Sequence, residues 1–163
     1  MTVTATRPDA AAFAPFGVFV DMPAEAGARR PYSEWLTPVS GLALQFHTNR
    51  VPPSRLPLTL ERVERHPHAA QVFLPLSVSR YVVTVLPSLG DGQPDLPRAR
   101  AFVLPATLGV VYRAGVWHAG ITALDAEASF AVLMWRGSAD DDVFAPVGPL
   151  AVLPPVTAGT ATS

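Results

Sequence analysis

Glu64, Arg65, His66, His68 and Gln71 fall within one eight-residue stretch, in a chain that has four histidines and 15% charged residues. Groups that move protons, hold anions and ligate metals are thus concentrated in one place. An apolar run, Val72 to Leu76, follows and must be buried. His66 and His68 are separated by one residue, so an extended segment would project both imidazoles to the same side, the spacing by which a strand offers two nitrogens to one metal ion. With Gln71 and the distant His118 they make a candidate ligand set. Against it, glutamine is a poorer ligand than glutamate, and Pro67 can bend the segment so that the two rings diverge.

The same residues suit acid–base chemistry. A carboxylate near an imidazole can serve as base and acid, and a guanidinium can hold a substrate carboxylate through two parallel hydrogen bonds. Glu64 and His66 are candidates for the first role. Arg65, and Arg50 just after Asn49 at a strand end, are candidates for the second. A second informative stretch runs from Gly109 through Tyr112 and the Gly115 turn to Trp117 and His118. Turns of this kind place the following side chains at a barrel mouth, where ligands bind.

These residues need a scaffold, and composition bounds it. At 163 residues the chain fits a single domain, since one core commonly serves up to roughly 200 residues. Hydrophobic residues make up 49% of it, so a large core can form and spare apolar surface suits an oligomer. A net charge of −1 with no basic run argues against nucleic acid or an anionic membrane as partner. Absence of cysteine removes disulfides and thiol chemistry. No leader pattern opens the chain and no apolar stretch approaches the roughly 20 residues of a membrane helix, so a cytoplasmic protein is expected.

Pro8-Asp9 can start one short helix over Ala10 to Phe13. Eighteen prolines exclude long ones. Short β-rich runs follow at Val18–Val20, Gly41–Asn49, Leu58–Arg65, Val72–Leu74, Tyr81–Leu86, Ala101–Leu104, Gly109–Tyr112, Trp117–Ala123 and Ser129–Trp135, separated by glycine and proline turns. Residues 23–38 read as an irregular segment in which Tyr32 and Trp35 pack over something. In the Gly41–Asn49 run, Leu42, Leu44 and Phe46 form the expected core face, and Gln45 and His47 the opposite one; His47 is left outside the candidate site. The pattern predicts an antiparallel β-sandwich or closed barrel over residues 1–150, followed by a disordered tail over 151–163.

Leu56-Pro57-Leu58-Thr59, Glu64-Arg65-His66-Pro67 and Gln71 to Leu76 together resemble the signature of the ureidoglycolate lyases. Ala12-Phe13 to Phe16-Gly17, Asn49-Arg50, Pro94-Asp95-Leu96 before Ala101-Phe102, Gly109 to Tyr112 into Trp117-His118, and Arg136-Gly137-Ser138 with Asp142-Val143 extend the likeness in order across residues 10–147. The resemblance implies an all-β, cupin-like double-stranded β-helix barrel with a short N-terminal helix, forming a homodimer that cleaves ureidoglycolate to glyoxylate and urea in allantoin catabolism. It implies His66 or His118 as base, with Glu64 orienting it or acting as the acid, and Arg50 or Arg65 on the carboxylate. Gln71, Tyr112, Asn49 and Trp117 would complete the substrate site. It also implies nickel or a similar divalent ion at His66, His68, Gln71 and His118. The chain departs from the family pattern over Ala28 to Leu42, and after His118, where Ala119-Gly120 replaces the usual His-Pro.

Overall fold

A computed structural model describes residues 1–156 of the chain. Asp9 caps the single turn of α1 (Ala10–Phe13), its carboxylate accepting from the Ala12 amide at 3.0 Å, and Phe13 enters the core. The strands are, in order, β1 (Thr2–Thr6), β2 (Gly17–Val20), β3 (Ala43–Val51), β4 (Pro53–Ser54), β5 (Leu58–Arg65), β6 (Gln71–Ser77), β7 (Arg80–Leu86), β8 (Arg100–Pro105), β9 (Gly109–Tyr112), β10 (Trp117–His118), β11 (Thr122–Leu124), β12 (Ala128–Arg136) and β13 (Val143–Leu153).

Two sheets enclose the interior. The larger runs β10-β5-β13-β1-β8-β7-β11-β4, and β10 pairs with β7 as well as with β5, which closes it on itself. The smaller runs β2-β9-β6-β12-β3. This is an all-β barrel with the expected short N-terminal helix. Aromatic packing fills the space between the sheets: Phe13 stacks on Phe19 at 4.4 Å and meets Phe102 edge-on at 5.7 Å, while Phe130 meets Tyr81 edge-on at 5.1 Å. Such edge-on and offset contacts add to the area these rings bury. Gly17 opens β2 because a Cβ there would come within 1.8 Å of the Val111 carbonyl oxygen.

The structure revises several expectations. Strands β1 and β13 have no clear signal in sequence. Pro146, Gly148 and Pro149 interrupt the alternation of β13, and its register against β5 shifts between Pro146 and Leu150. Ala151 to Leu153, assigned above to the tail, pair with Thr2 to Thr4 of β1, so the ordered chain continues past 150; residues 157–163 lie outside the described residues. The run Trp117–Ala123 is two strands, β10 and β11, parted at Ala119–Ile121.

β3 is reversed from expectation. Leu44 and Phe46 are 45% and 67% exposed, because His47, Asn49 and Val51 turn inward and line a cavity. The irregular segment does pack over something: the Trp35 ring lies under the Arg113 guanidinium, and the Trp135 indole donates to the Leu36 carbonyl at 3.0 Å. Among the described residues no helix is long and apolar enough to cross a membrane.

Candidate active site

The larger sheet's register assembles the site's centre. His118 of β10 lies opposite Glu64 of β5, so two residues far apart in sequence share one face. Strand β5 ends at Arg65, and His66 follows it inward. Gln71, first residue of β6, approaches from the smaller sheet. The His66 and His118 rings are 5.2 Å apart. His118 Nε2 is 3.1 Å from Gln71 Oε1 and 3.6 Å from Glu64 Oε1. Tyr112 stacks on the His118 ring at 4.1 Å and 15°, fixing its plane.

Backbone oxygens orient both rings. His118 Nδ1 donates to the Val116 carbonyl at 3.0 Å, and His66 Nδ1 to the Asp141 carbonyl at 3.0 Å, with Asp142 Oδ1 also 3.0 Å away. Each Nδ1 therefore carries a hydrogen and each Nε2 faces the interior. His66 Nε2 is buried without a hydrogen-bond partner, as are Asn49 Oδ1 and the Tyr112 hydroxyl. A buried polar atom without a partner is costly and marks where a ligand is met. His66 and Asn49 line a cavity of about 380 Å³ together with Glu64, Gln71, His47, Arg136 and Asp142. Single donor atoms of Glu64, His66 and His118 lie within 4.8 Å of one another, close enough to share a cation.

Electrostatics separates the titratable groups. Burial, followed by the neighbouring His118 charge, pulls His66 below the ordinary imidazole value. The contact with His118 holds the Glu64 carboxyl below its ordinary range, and the Arg136 guanidinium does the same for Asp142.

The structure brings Glu64, His66, Gln71, His118, Tyr112 and Asn49 together, and it places four other candidates elsewhere. His68 turns outward to Asp140, 2.7 Å away, because Pro67 ends the strand pairing and the rings diverge. Arg50 has the opposite parity to Asn49 on β3 and reaches Glu127 at 2.6 Å on the outer surface. Arg65 likewise points away from Glu64 and His66: its guanidinium lies 4.6 Å over the Trp117 ring and donates to the Gly92 carbonyl at 3.2 Å. Trp117 is buried there, its indole donating to the same carbonyl at 3.0 Å.

Sequence reasoning missed four residues. His47 lines the cavity, and the inward parity of Asn49 two residues on was its available signal. Arg136 is the guanidinium lining this cavity, bound to both carboxylate oxygens of Asp142. Both lie in motif pieces noted above without a role. Asp141 sets the loop that carries them: its carboxylate accepts from the Gly137 and Ser138 amides at 2.7 and 3.2 Å, which aims its carbonyl at His66.

A family model described as ureidoglycolate lyase matches residues 1–147. A ureidoglycolate lyase of Escherichia coli (strain SMS-3-5 / SECEC) is 41% identical over 95 residues, 58% of this chain and 58% of that protein. One of Shigella boydii serotype 18 is 40% identical over 95 residues, again 58% of each chain. The match thus spans less than two thirds of these relatives' length. A solved dTDP sugar isomerase of Desulfovibrio desulfuricans G20 has a TM-score of 0.48 and 19% identity over 80% of this chain and 82% of that one, too distant to bear on function.

All three shifted groups lose protons more readily folded than unfolded, so the unfolded state binds more protons and stability falls with falling pH. His66 contributes fully above its ordinary 6.5, and Glu64 and Asp142 above 4.5 and 3.8; each contribution is lost as pH drops towards the folded value. The urea midpoint is expected to decline below pH 6.5 and more steeply below 4.5, with the steep part reduced in E64Q/D142N. A variant curve parallel to the wild type would refute the assignment of those two carboxylates.

Proposed function

Because the chain belongs to the ureidoglycolate lyase family, we propose that it is a carbon–nitrogen lyase that cleaves ureidoglycolate to glyoxylate and urea. The observation that carries this reading is a pair of imidazoles 5.2 Å apart, each with Nδ1 on a carbonyl: His66 lines the cavity, and His118 Nε2 meets Gln71 and Glu64, which line it too. The substrate is a carbinolamine bearing a carboxylate. Its C–N bond breaks when the hydroxyl loses a proton, the carbonyl forms, and the departing urea nitrogen gains a proton. No covalent nucleophile is required.

His66 suits the base: its Nε2 lone pair is buried and unclaimed, and the ring is kept neutral by burial. His118 suits the acid. Its Nε2 faces two oxygens, on Gln71 and Glu64, and an N–H there satisfies both. Glu64, held as a carboxylate, orients and supports His118 and does not itself deliver the proton. Arg136 takes over the carboxylate-binding role first assigned to Arg50 or Arg65, since its guanidinium lines the cavity. Asn49 Oδ1, the Tyr112 hydroxyl and Gln71 are left for the ureido group and the hydroxyl. His47, exposed at the cavity's edge, meets the entering substrate.

As a second reading of the same atoms, in which both Nε2 nitrogens are ligands and not the base and the acid, the donor set fits the divalent ion that the resemblance implies, nickel or a similar metal, because His66 Nε2 lacks a partner and sits among Glu64 and His118 donors. Glu64, His66 and His118 would hold it, with Gln71 beside them and His68 excluded. Bound there, the ion would polarise the substrate's oxygen atoms. The proposed setting is allantoin catabolism in the cytoplasm.

A homodimer fits the outer face of the smaller sheet. Phe46 lies beside Leu133, and Leu133 beside Val72, giving an apolar row that reaches the free edge of β3. With Leu44 and Leu76, 45% and 60% exposed, this surface suits a second copy.

Purified protein given ureidoglycolate is expected to release glyoxylate well above the spontaneous rate, and H118A to lose about 10²–10⁴-fold in kcat. A rate no higher than spontaneous would leave only a binding domain for a small carboxylate. Protein purified without a histidine tag is expected to carry a divalent ion that E64A and H66A reduce; equal metal content in all three would remove that centre. Sedimentation should show a dimer, and L44D/F46D a monomer. A monomeric wild type would discard this interface.

A further inference from the structure

A larger cavity, of about 710 Å³, is lined in part by the loop whose Val116 carbonyl orients the His118 ring. Arg98, Arg100 and Arg113 line it, and no aspartate or glutamate does, although the chain as a whole carries more acidic than basic residues. Arg98 is held only loosely, by Asp95 at 3.7 Å, and Arg100 and Arg113 have no carboxylate partner among the described residues. Arg113 is positioned in advance, its guanidinium 4.7 Å over the Trp35 ring and its Nε on the Ala14 carbonyl at 3.4 Å. The rest of the lining includes Phe16, Leu86 and Val116. Three arginines along a hollow that is part polar and part apolar suit an anion attached to an apolar body.

The loop Arg113–Val116 lines this cavity and also contacts the His118 ring and the His66 backbone. Val116 accepts from His118 Nδ1 at 3.0 Å, and the Gly115 amide donates to the His66 carbonyl at 2.7 Å. Gly115 takes a φ of +76°, so this hinge is one that a side chain would strain. We propose that the cavity is an effector site for a small organic anion, carboxylate groups on an apolar body, whose binding reaches His66 and His118 through the Arg113–Val116 loop. The proposal is independent of the lyase reading, because it rests on neither substrate nor turnover.

The test is calorimetric titration of the full chain with phthalate, which carries two carboxylates on an apolar ring. Saturable binding is expected for the wild type, weakened at least about tenfold, or 1.4 kcal/mol, in R98Q/R100Q. Inorganic phosphate, which lacks the apolar body, and benzyl alcohol, which lacks the charge, are expected to bind at least about tenfold more weakly than phthalate. No saturation with phthalate, equal affinity in the double variant, or equal affinity for either control would overturn the site. In the same samples the imidazole proton resonances of His66 and His118 should move on phthalate addition to the wild type and stay fixed in R98Q/R100Q. Resonances that do not move although phthalate binds would overturn the effector role.

Discussion

The hydrogen bonds from two imidazole Nδ1 atoms to two backbone carbonyls are the constraint on which the site depends. Val116 and Asp141 supply those carbonyls from different loops, one after β9 and one after β12. Each fixes a tautomer and turns the other nitrogen inward. Without them Glu64 would have no oriented partner, and the stacking of Tyr112 on His118 would hold a ring of undefined donor pattern. A main-chain carbonyl has no proton to lose, so the His118 orientation does not depend on a carboxylate, whereas that of His66 rests on the loop that the Asp141 carboxylate holds.

The barrel supplies those loops by register. Pairing of His118 with Glu64 and of Trp117 with Leu86 closes the larger sheet through a two-residue strand, which is short enough to leave the turn before it free to shape the site. Parity then divides the neighbours. Glu64 faces inward while Arg65 faces Trp117 and the Gly92 loop, and Asn49 faces inward while Arg50 faces water. One residue of register thus decides whether a side chain meets substrate or holds the shell.

Much of the site was legible in sequence because its members are chemically conspicuous. Glu64, His66, Gln71 and His118 could be picked out by type and proximity, and the short strands by turn residues. What failed was direction. The alternating Leu44 and Phe46 read as core by the ordinary expectation that apolar residues face inward, yet the inward face of β3 lines a polar cavity and its outward face forms an apolar surface. His66 and His68 read as a same-side pair only on an extended backbone, and Pro67 ends the extension. β1 was illegible because Thr2 to Thr6 is too small and polar to announce a strand, and its partners lie about a hundred residues or more away.

That last arrangement carries its own consequence. β1 runs parallel between β8 and β13, and its amides and carbonyls find sheet partners only there. β1 is therefore seated only once β8 and β13, about a hundred and about a hundred and fifty residues further along, are both in place. Closing so long a span of chain costs entropy that local contacts cannot offset in advance. The larger sheet is thereby completed by its most distant pairing, between β1 and β13.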